Sequence, residues 1–409
     1  MAGTRLGPTS ALLNLFCGML GPGFLSIPSA FMSSGLWAGF TLVFLVGTFC
    51  LLSMYRLVEC SQILTKKCPG TTCLSYSNTA EMAFQEFSPS FAKFSRVAKY
   101  AVDVIVFLFQ LGVLVVSFVF VEEHLPELLP VIGISADQTK WAMIVYFLFQ
   151  LILCLSASMQ LLTLLATLGN FTILAVLGLI TNEMISRGFY RTAALPAITN
   201  LGGVSLAAGS LIYSMEGQTM ILPLENRLTY KKAMLGLNGV LCSSINLVIV
   251  LYAAVGFYGF LCFGDDVQAS ISLNLPKNAL SHVVQLLLVL KIFVGTALQL
   301  HVVTDIIWPP GHQKKTDKTT IYKRLFPPAV LLVAFVGAIL LGKLAFVIPL
   351  IGLTTGVILS LIFPPFLHIL VTSMGESSTI VKNLTHMSNV AMITIGFYFL
   401  ITGTIDLFI

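Results

Sequence analysis

The sequence predicts an all-α polytopic membrane protein with about eleven transmembrane helices. Three observations lead there. The 409 residues are 57% hydrophobic and only 10% charged, with a mean hydropathy of +0.95. Soluble domains carry about 25% charged residues, and a soluble core could not hide this much apolar surface, so lipid must solvate much of the chain. The apolar residues gather in about eleven runs, each near the roughly 20 residues that cross the hydrocarbon. Basic residues are unequally shared between the loops that separate those runs.

The runs cover roughly 10–32, 36–60, 98–121, 140–158 and 161–183 in the first half. The second half continues with roughly 203–222, 235–262, 279–306, 327–347, 350–374 and 387–408. The first run begins near Ser10 and is too long for a cleavable signal, so it reads as a signal anchor. The longest loop, around 61–97, is about 35 residues long and joins the second and third spans.

With the N-terminus in the cytoplasm, the inner loops hold Lys66, Lys67, Lys93, Arg96, Arg227, Lys231, Lys232, Lys314, Lys315, Lys318, Lys323 and Arg324. Arg5, Arg56, Lys99 and Lys382 bring the inner total to about 16, against about five outside. The outer loops carry Glu122, Glu123, Glu127, Asp265 and Asp266 instead. An odd number of spans then leaves the C-terminus outside. Trp37, Trp141 and Trp308 fall near span ends, as an aromatic belt requires. The sequon at Asn383 lies in an inner loop on this topology and reads as chance.

The net charge of +5 is mild and its basic residues sit in loops, which argues against nucleic acid. Eight cysteines mostly lie in apolar runs, where they act as small hydrophobes. Cys68 and Cys73 share a cytoplasmic loop, which disfavours a disulfide, and no metal-site spacing occurs. No cofactor is expected. No P-loop and no catalytic constellation appears, so neither ATP hydrolysis nor an enzyme is expected.

Two spans are interrupted. In the first, Gly18, Gly21, Pro22 and Gly23 crowd the centre; proline removes a backbone donor and glycine permits nonhelical dihedrals. In the sixth, Ser214-Met215-Glu216-Gly217-Gln218 breaks the apolar run, and a carboxylate there costs about 2.5–3.5 kcal/mol on insertion scales. One break alone is commonly a kink or a close packing contact. Breaks at matching places in two halves point to an inverted repeat, five helices plus five with one extra. Repeat one would cover about 10–183, repeat two about 203–374 and the extra helix about 387–408, all in one domain over 1–409. Unwound segments free N–H and C=O groups at mid-membrane depth, where they can hold a carboxylate and an ammonium together.

Three stretches resemble the amino acid/auxin permease family, and most closely its proton-coupled amino acid transporter branch. They are G-P-G-F-L-S-I-P-S-A-F-M-S-S-G at 21–35 with R-L-V-E-C-S-Q at 56–62, Q-L-G-V-L-V-V-S-F-V-F at 110–120, and S-M-E-G-Q-T-M-I-L-P-L-E-N at 214–226. The resemblance implies a leucine-transporter-type fold with substrate held between the first, third, sixth and eighth helices. It implies that Gly21, Pro22 and Gly23 bind the substrate carboxylate. It implies that Ser214, Met215, Glu216 and Gly217 form the second unwound segment, with Pro223 to Asn226 as its exit. Asn14 stands where many proton-coupled members have a His, and an amide cannot accept a proton at this pH. Glu216 is then the best remaining proton-binding candidate. Ser117 stands where several relatives have Tyr, which widens the expected pocket.

Among the other ionisable groups, Asp103 reads as interfacial, Asp406 as solvated, and His301 and Asp305 as an i, i+4 pair. His368 reads as a hydrogen-bonded histidine in a packed bundle. Lys291 lies about twelve residues, roughly 18 Å, from each end of the eighth helix, beyond its reach of about 6 Å. It shares a stripe with Gly295 and Gln299 that should face the bundle. In sodium-coupled members of the leucine-transporter-type fold, the eighth helix and the broken first helix build a sodium site. Lys291 either replaces that sodium against carbonyls near Gly18 to Pro22, or lines a water-filled vestibule and pairs with Asp103. The expected function is secondary active transport of a small neutral amino acid, proton-coupled and sodium-independent. The expected location is the plasma membrane or a lysosomal or vesicular membrane. The alternative is an amino-acid sensor or transceptor; the short tails favour transport. A channel would need a repeated pore loop, which the sequence lacks.

Overall fold

A computed structural model describes residues 6–68, 73–156, 159–307, 317–374 and 379–408, without the side chains of 159, 160, 163, 305, 317–323 and 379. Arg5, Trp308, Lys314 and Lys315 lie outside the described residues, as do the side chains of Asp305, Lys318 and Lys323.

The protein is an all-helical polytopic membrane protein. Among the described residues, nine helices are long and apolar enough to cross a membrane. They are the second (Leu36–Lys67), third (Ser95–Leu128), fourth (Thr139–Ser156), fifth (Met159–Arg187), seventh (Val240–Phe263), eighth (Ala279–Ile307) and ninth (Asp317–Leu341) spans, with the tenth and eleventh. The first and sixth spans do not count among the nine because each is built from shorter helices. The tenth begins at Leu344, earlier than its apolar run suggests, because Gly342 adopts φ +74° and ends the ninth helix. Its middle widens into π-helical turns at Gly352–Gly356 and Ile358–Ile362 before closing as Phe363–Ser373. The eleventh runs from Thr379, with the Asn383 sequon inside the helix.

The stretch between the second and third spans is not a plain loop. It contains the helix Tyr76–Phe87, capped by the Ser75 hydroxyl accepting from the Asn78 N–H at 3.2 Å. Tyr76, Ala80 and Ala83 recur at helical spacing and are buried. The second span itself extends to Lys67, so Lys66 and Lys67 form its last turn and face the helix dipole favourably.

The chain divides into two compact units. One takes Met1–Val106, Leu195–Phe257 and Pro349–Ile409; the other takes Phe107–Ala194 and Tyr258–Ile348.

In the first unit, small residues let helices approach closely, the usual basis of association in lipid. A Cβ on Gly352 would fall on the Gly209 carbonyl oxygen, and one on Gly256 would overlap the Phe31 ring. Leu6 pairs with the strand-like segment after the sixth span, Leu6 N–H donating to Arg227 O at 2.8 Å. The start of the first span and the end of the sixth therefore share a face, as six crossings require. At the opposite end, the first N–H groups of the second span have no partners in their own helix. Leu36 donates to Pro196 O at 2.8 Å, and Trp37 and Ala38 donate to Ala197 O at 3.1 and 3.0 Å. Gly35, at φ +93°, makes the turn beside that segment; a Cβ there would lie 2.7 Å from the Ile198 backbone.

In the second unit, Phe118 of the third span packs edge-on against Tyr146 and Phe335, at 6.0 and 5.5 Å. The Gln150 amide donates to Phe293 O at 3.1 Å, joining the fourth span to the eighth. His124, which the sequence did not single out, is fully buried between Phe120 O and Ser272 Oγ, both at 2.7 Å.

Candidate functional site

The first span is helical over Pro8–Met19 and resumes at Pro22–Leu25 and Ile27–Ser34. Between them Leu20 and Gly21 leave the helix, Gly21 extended at φ −119°, ψ −161°. Pro22 forces the stop, since it has no N–H to give to the preceding turn. No side chain caps the new start among the described residues. A Cβ on Gly21 would meet nothing within 4 Å, so open space lies beside it. Gly23 differs: a Cβ there would come 2.5 Å from Ser214 Oγ. Gly18 lies inside the first helix, not in the break.

The sixth span is helical over Leu201–Ser214, leaves the helix at Met215–Gly217, and resumes at Gln218–Arg227. Glu216 caps the second piece. Its Oε1 accepts from the Thr219 N–H and its Oε2 from the Thr219 hydroxyl, each at 3.1 Å. Gln218 Oε1 accepts from the Gly217 N–H at 3.1 Å. The exit motif Pro223–Asn226 is structural. Buried Glu225 accepts from Gln62 Nε2 at 2.8 Å, and Asn226 donates to Leu74 O at 2.9 Å.

The two breaks meet. Gly23 rests on Ser214, and a Cβ on Gly217 would lie 2.6 Å from Met19 Cε. Tyr252 of the seventh span joins them: its hydroxyl lies 2.7 Å from Met19 O and 3.0 Å from Ser214 O. Tyr252 is fully buried, its ring 5.4 Å from that of Phe24. Both carbonyls border a break and have lost a helical partner. A tyrosine inside an apolar run gives no sequence signal, and Tyr252 was not among the predicted residues.

The predicted residues therefore separate by role. Gly23 and Ser214 bring the two breaks together, with Gly21 and Pro22 beside the one and Glu216 and Gly217 beside the other in the chain. Met215 is buried and turned towards the second span, its Sδ 3.4 Å from where a Cβ on Gly47 would stand. Asn14 is exposed, at the middle of the Pro8–Met19 helix. Ser117 is buried and donates to Val113 O at 2.9 Å within its own helix. The stem of Lys291 crosses the fifth span at Gly169, where a Cβ would lie 3.0 Å from Lys291 Cγ. Asp103 is hydrogen-bonded by Ser77 of the Tyr76–Phe87 helix. Buried His301 Nε2 has no partner among the described residues, and the Asp305 half of that expected pair lies outside them. The described residues hold no group of three or more His, Cys, Asp or Glu able to bind a metal.

Residues 4–409 match the family model described as transmembrane amino acid transporter protein. The chain is similar to the probable amino acid transporter skat-1 of Caenorhabditis elegans, 29% identical over 98% of this chain and 89% of that protein. It is also similar to the proton-coupled amino acid transporter-like protein pathetic of Drosophila melanogaster, 28% identical over 88% of this chain and 76% of that one.

Proposed function

Because the chain belongs to the transmembrane amino acid transporter family, we propose that it is a secondary active transporter of small neutral amino acids, proton-coupled and sodium-independent. The observation that carries this reading is the meeting of the two breaks around Gly21 to Gly23 and Ser214 to Gly217. The substrate carboxylate binds at Gly21 to Gly23, where no side chain caps the resuming helix, open space lies beside Gly21 and the helix presents its positive end. Its ammonium goes to carbonyls freed at the breaks. A small side chain suits the space beside Gly21.

Glu216 is the proposed carrier of the coupling proton, and Lys291 the cation that makes sodium unnecessary; Asn14 carries no proton. A relative named as a proton-coupled amino acid transporter-like protein favours the proton. The inverted-repeat reading is supported by each compact unit drawing segments from both halves of the chain. The proposed location is a plasma or lysosomal/vesicular membrane, with the N-terminus in the cytoplasm.

Uptake of radiolabelled amino acids into proteoliposomes tests this, with pH and sodium gradients set independently. Accumulation of Gly, Ala, Ser or Pro driven by an inward proton gradient supports it. Strict sodium dependence would exclude Lys291 as a sodium substitute. Competition by large aromatic or cationic amino acids alone would overturn the substrate class.

A further inference from the structure

Away from the substrate site, one imidazole ties three spans together. His368, in the closing helix of the tenth span, is 2% exposed. Its Nε2 lies 3.1 Å from Glu59 Oε2 of the second span, and its Nδ1 lies 3.0 Å from the Asn389 amide of the eleventh. We propose that His368, Glu59 and Asn389 form a proton-binding site, distinct from the substrate site, whose occupancy sets how the transport rate depends on pH. The effect on rate rests on the transport reading above; the binding of a proton does not.

Hydrogen-bond accounting carries the proposal. An ionised Glu59 only accepts, so His368 Nε2 carries a hydrogen. Asn389, as placed, donates from Nδ2 to Nδ1, which makes the ring neutral. Asn389 is fully buried, and its Oδ1 has no partner among the described residues. Turning that amide through half a rotation presents Oδ1 to Nδ1. That arrangement requires a second hydrogen on the ring. His368 can therefore hold one proton or two without leaving its place. Loading turns the hydrogen bond to Glu59 into an ion pair of imidazolium and carboxylate. The Glu59 side chain is 40% exposed, which gives the proton a path from water.

The surrounding charges fit a site that loads and unloads. Arg56 of the second span is buried and opposes a second positive charge, but its guanidinium donates to Ser388 Oγ at 2.7 Å and to Met392 Sδ. Glu59 is thereby left to His368, with the Cys60 thiol beside it. On the eleventh span, His386 Nε2 lies 3.0 Å from the Thr372 hydroxyl, which itself donates to His368 O at 2.6 Å. Lys382 donates to Ser373 O at 3.1 Å. On the Tyr76–Phe87 helix, the Tyr76 hydroxyl donates to Leu359 O, while Glu81 and Glu86 pair with Lys99 and Lys67.

The site has a route to the break. The second span holds the tenth at two levels, Glu59 to His368 and the Ser53 hydroxyl to Ser360 O. The Ser360 hydroxyl donates at 3.3 Å to Gln218 Oε1, which also accepts from the Gly217 N–H. Ser360 sits in a π-helical turn, a feature often found at functional positions. Loading His368 tightens the tie between the second and tenth spans, and so holds the segment that touches the sixth-span break.

Two measurements test this. The first is nitrogen NMR of histidine-labelled protein in nanodiscs, with the His368 signal assigned by its loss in His368→Gln. The expected result is that lowering the pH converts that ring from its one-proton form to its two-proton form. In Glu59→Gln the midpoint should fall by about one pH unit, because the counter-charge is gone. A ring that stays neutral throughout, or a midpoint that Glu59→Gln leaves in place, overturns the proton site. The second is substrate exchange at equal pH on both faces, which removes the driving force proposed to act through Glu216. Wild type should slow about fivefold between pH 7.5 and 5.5, while His368→Gln stays within about twofold over the same range. A variant that slows as much as wild type overturns the control of rate. If wild type carries no amino acid at all, the transport reading fails, and the NMR result still decides the proton site.

Discussion

The first and sixth spans are both interrupted near their middles, yet the interruptions are finished differently. At Gly21 the backbone is extended, no side chain caps the resuming helix, and nothing stands beside the glycine. At Glu216 the same geometric problem is solved from within: a carboxylate and an amide take up the N–H groups of Thr219 and Gly217. A helix start closed by its own side chains has little left for a ligand. An uncapped start has donors to offer to an anion. The first break is therefore the proposed site for the substrate carboxylate, and the sixth is its braced counterpart, with Tyr252 as the link.

The contrast is broken most directly by adding side chains to the glycines. Gly21→Val should reduce uptake by about 100-fold or more, because a carboxylate that loses its charge-assisted hydrogen bonds loses about 3 kcal/mol. It should fold normally, since its backbone angles suit valine and its Cβ meets no protein atom within 4 Å. Gly23→Ala should lose uptake by a different cause. Its Cβ would press on Ser214 Oγ at 2.5 Å and Ser214 Cα at 3.0 Å, so thermal stability should fall by about 1–3 kcal/mol. Uptake and melting measured on both variants separate a ligand position from a packing position. Normal uptake by Gly21→Val would remove the first break from the substrate site.

The braced break is sharpened by Glu216→Gln. The glutamine oxygen can still accept from Thr219, but the side chain no longer titrates. Accumulation against a gradient should disappear while exchange at equal concentrations persists. If proton-driven accumulation survives intact, Glu216 is a helix cap only. Glu216→Ala, which removes the cap as well, should cost about 1 kcal/mol of stability.

Tyr252→Phe keeps the ring against Phe24 and removes only the hydroxyl that spans Met19 O and Ser214 O. Met19 O retains the Gly21 N–H at 3.0 Å, so Ser214 O bears the loss. Stability should fall by about 1–3 kcal/mol. If about 1.4 kcal/mol of that is felt in the transport cycle, the rate falls about tenfold. A lowered maximal rate with unchanged half-saturation assigns Tyr252 to positioning the breaks. A change in half-saturation alone would place it against the substrate.

Much of this fold was legible because lipid imposes a simple rule. A spanning helix must be long, apolar and internally hydrogen-bonded, so the runs marked the spans, and Pro22 and Glu216 marked the exceptions. The helix Tyr76–Phe87 escaped because it is short and half polar, visible only in the spacing of Tyr76, Ala80 and Ala83. The π-helical turns at Gly352–Gly356 and Ile358–Ile362 leave no trace in composition; they arise where Gly209 and Ser53 press on the tenth span. Tyr252 was hidden for a related reason. Its role depends on two carbonyls far apart in sequence, and no local pattern records such a convergence. His368 was legible as a bonded histidine, but its partners Glu59 and Asn389 were not.

Gly18 gives the smallest expected effect and sharpens where the first break begins. In sequence it belongs with Gly21, Pro22 and Gly23. In the structure it is helical, and a Cβ there would overlap Met220 Cε, the free end of a flexible, partly exposed side chain. That methyl can move aside at little cost, unlike the Ser214 backbone beside Gly23. Alanine also suits a helix interior better than glycine by about 0.5–1 kcal/mol. Gly18→Ala should therefore leave uptake within about twofold and hold or slightly raise the melting temperature. A loss comparable to that of Gly21→Val would mean that the unwound segment opens further than Leu20 during transport, drawing Gly18 into the break.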